Sequence, residues 1–193
     1  MTRCRNCGFI KWYFLVIVVA AFTLRFYPQY SAFINSFFLI GIPLLSKKTP
    51  EQLGFKNFKS GILWGLAASV TVLPVYALVL TILGAKFLLP NTDKLLNLLS
   101  FYFVVALSEE TFFRGYFYSE MENEPFFLFI SKNNFVSSFL FATAHAFIYY
   151  NPIMFKVFFP SLIMGWLYEK SGSIFAPVIF HWLSDVIYAL IKF

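Results

Sequence analysis

The chain has 193 residues, 60% of them hydrophobic and 12% charged, with a mean hydropathy of +0.73. A water-soluble domain carries roughly twice that share of charge, so the composition excludes one and predicts an integral-membrane protein. The net charge of +6 comes from fifteen Lys and Arg scattered between apolar runs, without a basic stripe or arginine-rich arm, so it predicts membrane orientation and no nucleic-acid partner.

The N-terminus, MTRCRNCGFIKWYFLVIVVAAFTL, has a basic lead and an apolar run like a secretory signal, and VAA offers a small-residue cleavage site. Further spans follow, so an uncleaved signal anchor is expected. Cys4 and Cys7 form a single CxxC with no second pair, which predicts juxtamembrane thiols and not a zinc knuckle. A span needs roughly 17 to 25 mostly apolar residues, and seven are predicted at about 9–24, 32–46, 61–84, 95–119, 134–150, 154–169 and 174–192. The second and sixth are short, and Pro74, Pro160 and Pro177 are kinks that neighbouring helices can tolerate. The expected fold is an all-α polytopic transmembrane helix bundle, one integral-membrane domain over 1–193. Twenty-eight Phe and eleven Tyr supply its lipid-facing bulk and interfacial rings.

Basic residues set the expected orientation. Arg3, Arg5 and Lys11 precede the first span, and Lys47, Lys48, Lys56 and Lys59 follow the second, which places the N-terminus in the cytoplasm. The fourth span then runs outside to inside, with Glu109 and Glu110 in its cytoplasmic half and His181 at a comparable depth; His145 comes out nearer the midplane.

Of nine acidic residues, only Glu109, Glu110 and Asp185 fall well inside predicted spans. An ionised side chain near the bilayer centre costs roughly 2.5 to 3.5 kcal/mol, so such residues face a cavity or a partner. In EETFFR, Glu110 and Arg114 are four apart and nearly aligned on a helix, whereas Glu109 points about 100° away. Glu110 is the natural ion-pair partner of Arg114, which leaves Glu109 free to face another helix as a general base. A purely structural cluster of the three is the alternative. Both histidines also fall in spans, His145 in FLFATAHAFIYY and His181 in VIFHWLSDVIY. His181 and Asp185 share a helix face, so the carboxylate can orient the imidazole. Together these groups predict a water-activating site assembled from three helices.

EETFFRG at 109–115, FATAH at 141–145 and HWLSD at 181–185 resemble, in order, the three motifs of the CPBP family of intramembrane proteases, which includes the type II CAAX prenyl endopeptidases. The resemblance covers about 95–193, the expected catalytic core, and PEQLGF resembles a stretch that precedes such cores. It implies a glutamate-type endopeptidase without a cofactor or metal. Glu109 and His145 would activate water, Glu110 and Arg114 would support them, and His181 would stabilise the developing oxyanion. Relatives carry Asn or Asp at the last motif position. An ionised Asp cannot donate to an oxyanion, so Asp185 is expected to orient His181. The implied partners are the bilayer and a peptide or protein substrate, lipidated or membrane-anchored, such as a CAAX tail, a leader peptide or a C-terminal sorting signal. The implied location is a bacterial or archaeal cell membrane.

Two other readings use the same residues. Glu109, His145 and His181 could form a zinc set with an open fourth position, although the chain has no HExxH. The fold could also serve a non-catalytic immunity or scaffold protein, or a proton-coupled transporter.

Overall fold

A computed structural model describes residues 8–88 and 90–192. The residues that carry Arg3, Arg5, Cys4 and Cys7 lie outside them.

The described chain is an all-α bundle of seven rods. They are α1 (Gly8–Phe26), α2 (Pro28–Leu45), α3 (Phe58–Ile82), a long fourth rod, α6 (Lys132–Ile148), α7 (Phe158–Ser171) and α8 (Phe175–Ala189). The fourth rod is continuous from Thr92 to Glu120 but changes pitch: α4 (Thr92–Glu110) passes into a π-helical turn (Thr111–Tyr116) and ends in α5 (Phe117–Glu120). Two small antiparallel pairs, β1 (Lys86–Phe87) with β4 (Ile191–Lys192) and β2 (Pro125–Phe127) with β3 (Ile130–Ser131), tie connections together.

Four rods, Gly8–Phe26, Pro28–Leu45, Phe58–Ile82 and Thr92–Glu120, are long and apolar enough to cross a membrane by length and composition. The seven expected spans correspond to the seven rods, but α6, α7 and α8 have 17, 14 and 15 residues, short of the roughly 20 of a full crossing. The connection after α6 shortens that side, because part of the predicted sixth span is a 3₁₀ turn, Pro152–Val157.

One end of the bundle gathers the start of α1, the α2–α3 connection, Glu120, and the α7–α8 turn. Phe9 packs on Phe117 at 5.0 Å, Lys48 pairs with Glu120, and the Ile174 amide donates to the Gly54 carbonyl at 2.8 Å. The TPEQ stretch folds here because Thr49 and Gln52 cap each other reciprocally, the Thr49 amide to Gln52 Oε1 and the Gln52 amide to Thr49 Oγ1. This tucks Leu53 under the fourth rod, where it is buried and its carbonyl faces Gly115. The opposite end holds β1, β4, and the α6–α7 connection.

Close helix approach rests on small residues. On α3, Gly61, Gly65 and Ser69 are buried one turn apart. A Cβ added at Gly65 would stand 2.9 Å from the Ala176 carbonyl of α8, so only glycine permits this spacing. Pro43 and Pro74 sit inside α2 and α3 as helix-interior prolines.

Candidate active site

Residues Glu110 to Phe117 are buried without interruption, on every face of the rod. The π turn occupies this stretch. Its wider pitch carries the side chains of Phe112, Phe113, Tyr116 and Phe117 into the aromatic core, and Ser137 of α6 donates to the Phe113 carbonyl at 2.6 Å. Such turns concentrate at functional sites because they re-aim side chains inside an otherwise regular helix.

Glu110 lies immediately before the turn and is fully buried. Its Oε1 accepts from Arg114 Nη1 at 3.0 Å and stands 2.7 Å from His181 Nδ1. Arg114 is also fully buried. Its Nη2 donates to the Ser161 carbonyl at 3.0 Å and to the Ser161 hydroxyl, and its guanidinium lies over the Phe141 ring at 5.0 Å from the centroid. One carboxylate oxygen therefore ties the fourth rod to α8, and one guanidinium ties it to α7 and α6.

This changes the reading of Asp185. The four-residue spacing predicts that Asp185 orients His181, but the short contact to the imidazole, at Nδ1, belongs to Glu110. Asp185 Oδ2 lies 3.4 Å from Nε2, and Glu109 Oε2 lies 3.7 Å from the same nitrogen. Glu110 is not spent on Arg114 alone: a carboxylate oxygen has two lone pairs, and both are used here. The imidazole is held from behind by Glu110, and its second nitrogen is presented to Glu109 and Asp185.

His145 is placed differently. Its Nδ1–H donates to the Phe141 carbonyl of its own helix at 3.0 Å, and in the neutral ring this tautomer makes Nε2 the acceptor. Phe141 touches both imidazoles, with ring centroids 4.4 Å from His145 and 5.8 Å from His181. Among the described residues no hydrogen bond or ion pair joins His145 to Glu109 or His181. No group of three His, Cys, Asp or Glu among them is arranged to hold a metal ion. The Glu109, His145 and His181 zinc set is thus not assembled: the Phe141 ring packs against both histidines.

Side-chain accessibility rises stepwise from Glu110 at 0% and His181 at 7% to Glu109 at 20% and Asp185 at 31%. On the Arg114 side the site is closed by buried Phe112, Phe113 and Phe117. On the other side its neighbours are phenols. Tyr76 and Tyr102 lie within electrostatic reach of Asp185, and Tyr149 within reach of both Glu109 and Asp185. Tyr149 closes α6, at the end of the bundle that holds β1, β4 and the α6–α7 connection. Glu109 is nearer the opposite end by residue count, as expected from sequence.

Sequence reasoning did not single out Ser161, Phe141 or the tyrosines. Phe141 carries a local signal, since it is one turn before His145; Ser161 is 47 residues from Arg114 and carries none. Chemically, the Arg114 guanidinium and the His181 imidazole meet three carboxyl groups. Glu110 is the one hydrogen-bonded to both, whereas Asp185 and Glu109 approach His181 Nε2 at 3.4 and 3.7 Å, and of these two Glu109 is adjacent to Glu110 on the fourth rod.

Residues 91–187 match the family model described as Type II CAAX prenyl endopeptidase Rce1-like. That span contains all three motifs. No curated protein and no solved structure matches the chain significantly.

Proposed function

The chain belongs to the type II CAAX prenyl endopeptidase Rce1-like family and is an integral-membrane endopeptidase acting on a peptide or protein substrate, and we propose that its chemistry is of the glutamate type, with Glu109 as the general base. The observation that supports this most directly is the division between adjacent carboxylates: Glu110 is buried against Arg114 and His181, while Glu109 is accessible and 3.7 Å from His181 Nε2.

In the proposed reaction a water held by Glu109 and by His145 Nε2 attacks the peptide carbonyl carbon. Its proton passes to the Glu109 carboxylate, and the carbonyl π pair moves onto oxygen. His181, fixed through Nδ1 by Glu110, offers Nε2–H to that oxyanion. Collapse of the tetrahedral intermediate re-forms the carbonyl and breaks the C–N bond. The departing amine takes the proton from Glu109, which regenerates the carboxylate. Glu110, Arg114 and Ser161 hold the geometry without exchanging protons. The proposed substrate is a membrane-associated peptide, and a CAAX-type tail is the first client to assay.

Glu109→Gln is nearly isosteric and removes the base. Purified protein in proteoliposomes, given an internally quenched peptide library, is expected to lose at least a hundredfold in kcat with this change. Cleavage at the wild-type rate would remove Glu109 from the mechanism. Metal content and a chelator titration on the same preparation separate this chemistry from the zinc alternative, which requires a stoichiometric bound ion.

A further inference from the structure

We infer that Trp182 is a positioning residue: its indole N–H fixes the turn of α8 about its own axis and so aims His181 at the reacting groups. The inference rests on the endopeptidase reading above. The indole Nε1 donates to the Leu99 carbonyl of α4 at 2.8 Å, and its ring meets Phe103, one turn further along α4, edge-on at 5.5 Å between centroids. Among the described residues, two side-chain hydrogen bonds join α4 to α8. They are this one and the contact of Glu110 Oε1 with His181 Nδ1 at 2.7 Å.

The bond is a tie between two helix centres. Tryptophan in a membrane protein commonly sits at the interface, with its N–H toward the headgroups. Trp182 is instead the eighth of the fifteen residues of α8, and Leu99 the eighth of the nineteen of α4. A carbonyl in the middle of a helix already serves its own ladder, and the indole takes the second lone pair. Away from water a released indole N–H finds no other partner, so a rotation of α8 that breaks the bond leaves a desolvated donor.

The two ties leave α8 at neighbouring residues but reach α4 at Leu99 and Glu110, eleven residues apart, about 16 Å along the axis. One attachment at His181 would let α8 swivel about it; a second one, displaced this far, removes that freedom. What a swivel would change is the aim of Nε2, which stands 3.4 Å from Asp185 and 3.7 Å from Glu109. Asp185 rides on α8 together with His181, whereas Glu109 belongs to the fourth rod. Turning α8 therefore alters the approach of Nε2 to Glu109 and to the oxyanion, and leaves its distance to Asp185 the same. A misplacement of about 1 Å at a reacting group can cost about a hundredfold in rate.

Four proteins are compared in proteoliposomes with the quenched peptide library. They are wild type, Trp182→Phe, a protein with benzothienylalanine at 182, which keeps both rings and carries sulfur in place of N–H, and Phe103→Leu. The two proteins without the N–H are expected to lose about tenfold in kcat with KM within about twofold, because the aim of His181 matters in the transition state. Phe103→Leu removes the ring contact, keeps the donor, and is expected to stay within about twofold of wild type. The chain has two histidines, so NMR of protein labelled with heavy nitrogen in histidine reads both imidazoles. Loss of the N–H should move the His181 ring signals and leave those of His145 in place. A wild-type kcat with benzothienylalanine at 182, unmoved His181 signals, or an equal loss in Phe103→Leu, which would mark plain packing, overturns the inference and leaves the endopeptidase reading intact. A wild-type protein that cuts no peptide removes that reading and, with it, the role assigned to Trp182, even where the His181 signals move.

Discussion

Glu109 and Glu110 are the same side chain one residue apart, and only their surroundings separate them. Replacing Glu110 by Gln leaves Arg114 buried at 0% accessibility without its countercharge and replaces the charged acceptor at His181 Nδ1 by a weaker, neutral one. Breaking a buried ion pair on one side destabilises by about 3 to 5 kcal/mol. Glu110→Gln should therefore lower the thermal midpoint in detergent by several degrees as well as abolish cleavage. Glu109→Gln, at a more accessible position outside the ion pair, should abolish cleavage with the midpoint nearly unchanged. Melting both variants beside wild type checks the distinction; equal midpoints in the two would remove Glu110 from its structural place. Asp185→Asn should spare the orientation of His181, since Glu110 holds the nearer nitrogen. The four-residue spacing made the contact between Glu110 and Arg114 legible from sequence. The contact between Glu110 and His181 spans 71 residues and depends on how two rods pack, which no local spacing encodes.

At the scale of elements, the site depends on a change of helical pitch and on a seam of small residues. The hydrophobic pattern located the seven rods because a long apolar run can be satisfied in a membrane only as a helix. It did not reveal the π turn, since the apolar residues of TFFRGY fit either pitch equally well. It also did not reveal that α6, α7 and α8 stop short, because Pro152–Val157 is as apolar as a span and differs only in its turn geometry. Gly65 tests the seam. A side chain there meets the Ala176 carbonyl, which is backbone and cannot rotate away, so Gly65→Leu must push α8 off α3. Overpacking of this kind costs about 1 to 3 kcal/mol. Because Ala176 is five residues before His181 on the same helix, the displacement should also reduce kcat. Gly41→Leu is the control, for nothing lies within 4 Å of its added Cβ. A Gly65→Leu protein as stable and active as Gly41→Leu would mean that the seam does not position His181. Gly115→Ala, facing the Leu53 carbonyl at 2.7 Å, should likewise destabilise, through the loop under the π turn.

For the whole molecule, the decisive relation is between the open face of the site and the ends of the bundle. The end that holds the start of α1 also carries Lys47, Lys48, Lys56 and Lys59 in one connection, with Lys132 and Lys170 at neighbouring helix ends. The other end carries Arg25, Lys86, Lys94, Lys156 and Lys192. The positive-inside rule predicts that the first end, which carries four lysines in one connection, faces the cytoplasm. At the second end Lys156 lies over the ring of Tyr188 at 5.4 Å, and entry of substrate to Glu109 and Asp185 from that end is the prediction. In an N-inside chain, entry from that end would bring the substrate from the side away from the cytoplasm, and the residue-count depth of Glu109 does not decide between the two sides. Single cysteines at Lys56 and Lys156, in a background where Cys4 and Cys7 are serine, should react with a membrane-impermeant maleimide from opposite sides of sealed vesicles. Quenched peptide supplied on the side that labels Lys156→Cys should be cut, and peptide supplied only on the side that labels Lys56→Cys should be spared. Cleavage from the Lys56 side would place the entrance among the aromatic residues around the π turn and would require that buried layer to open during each turnover.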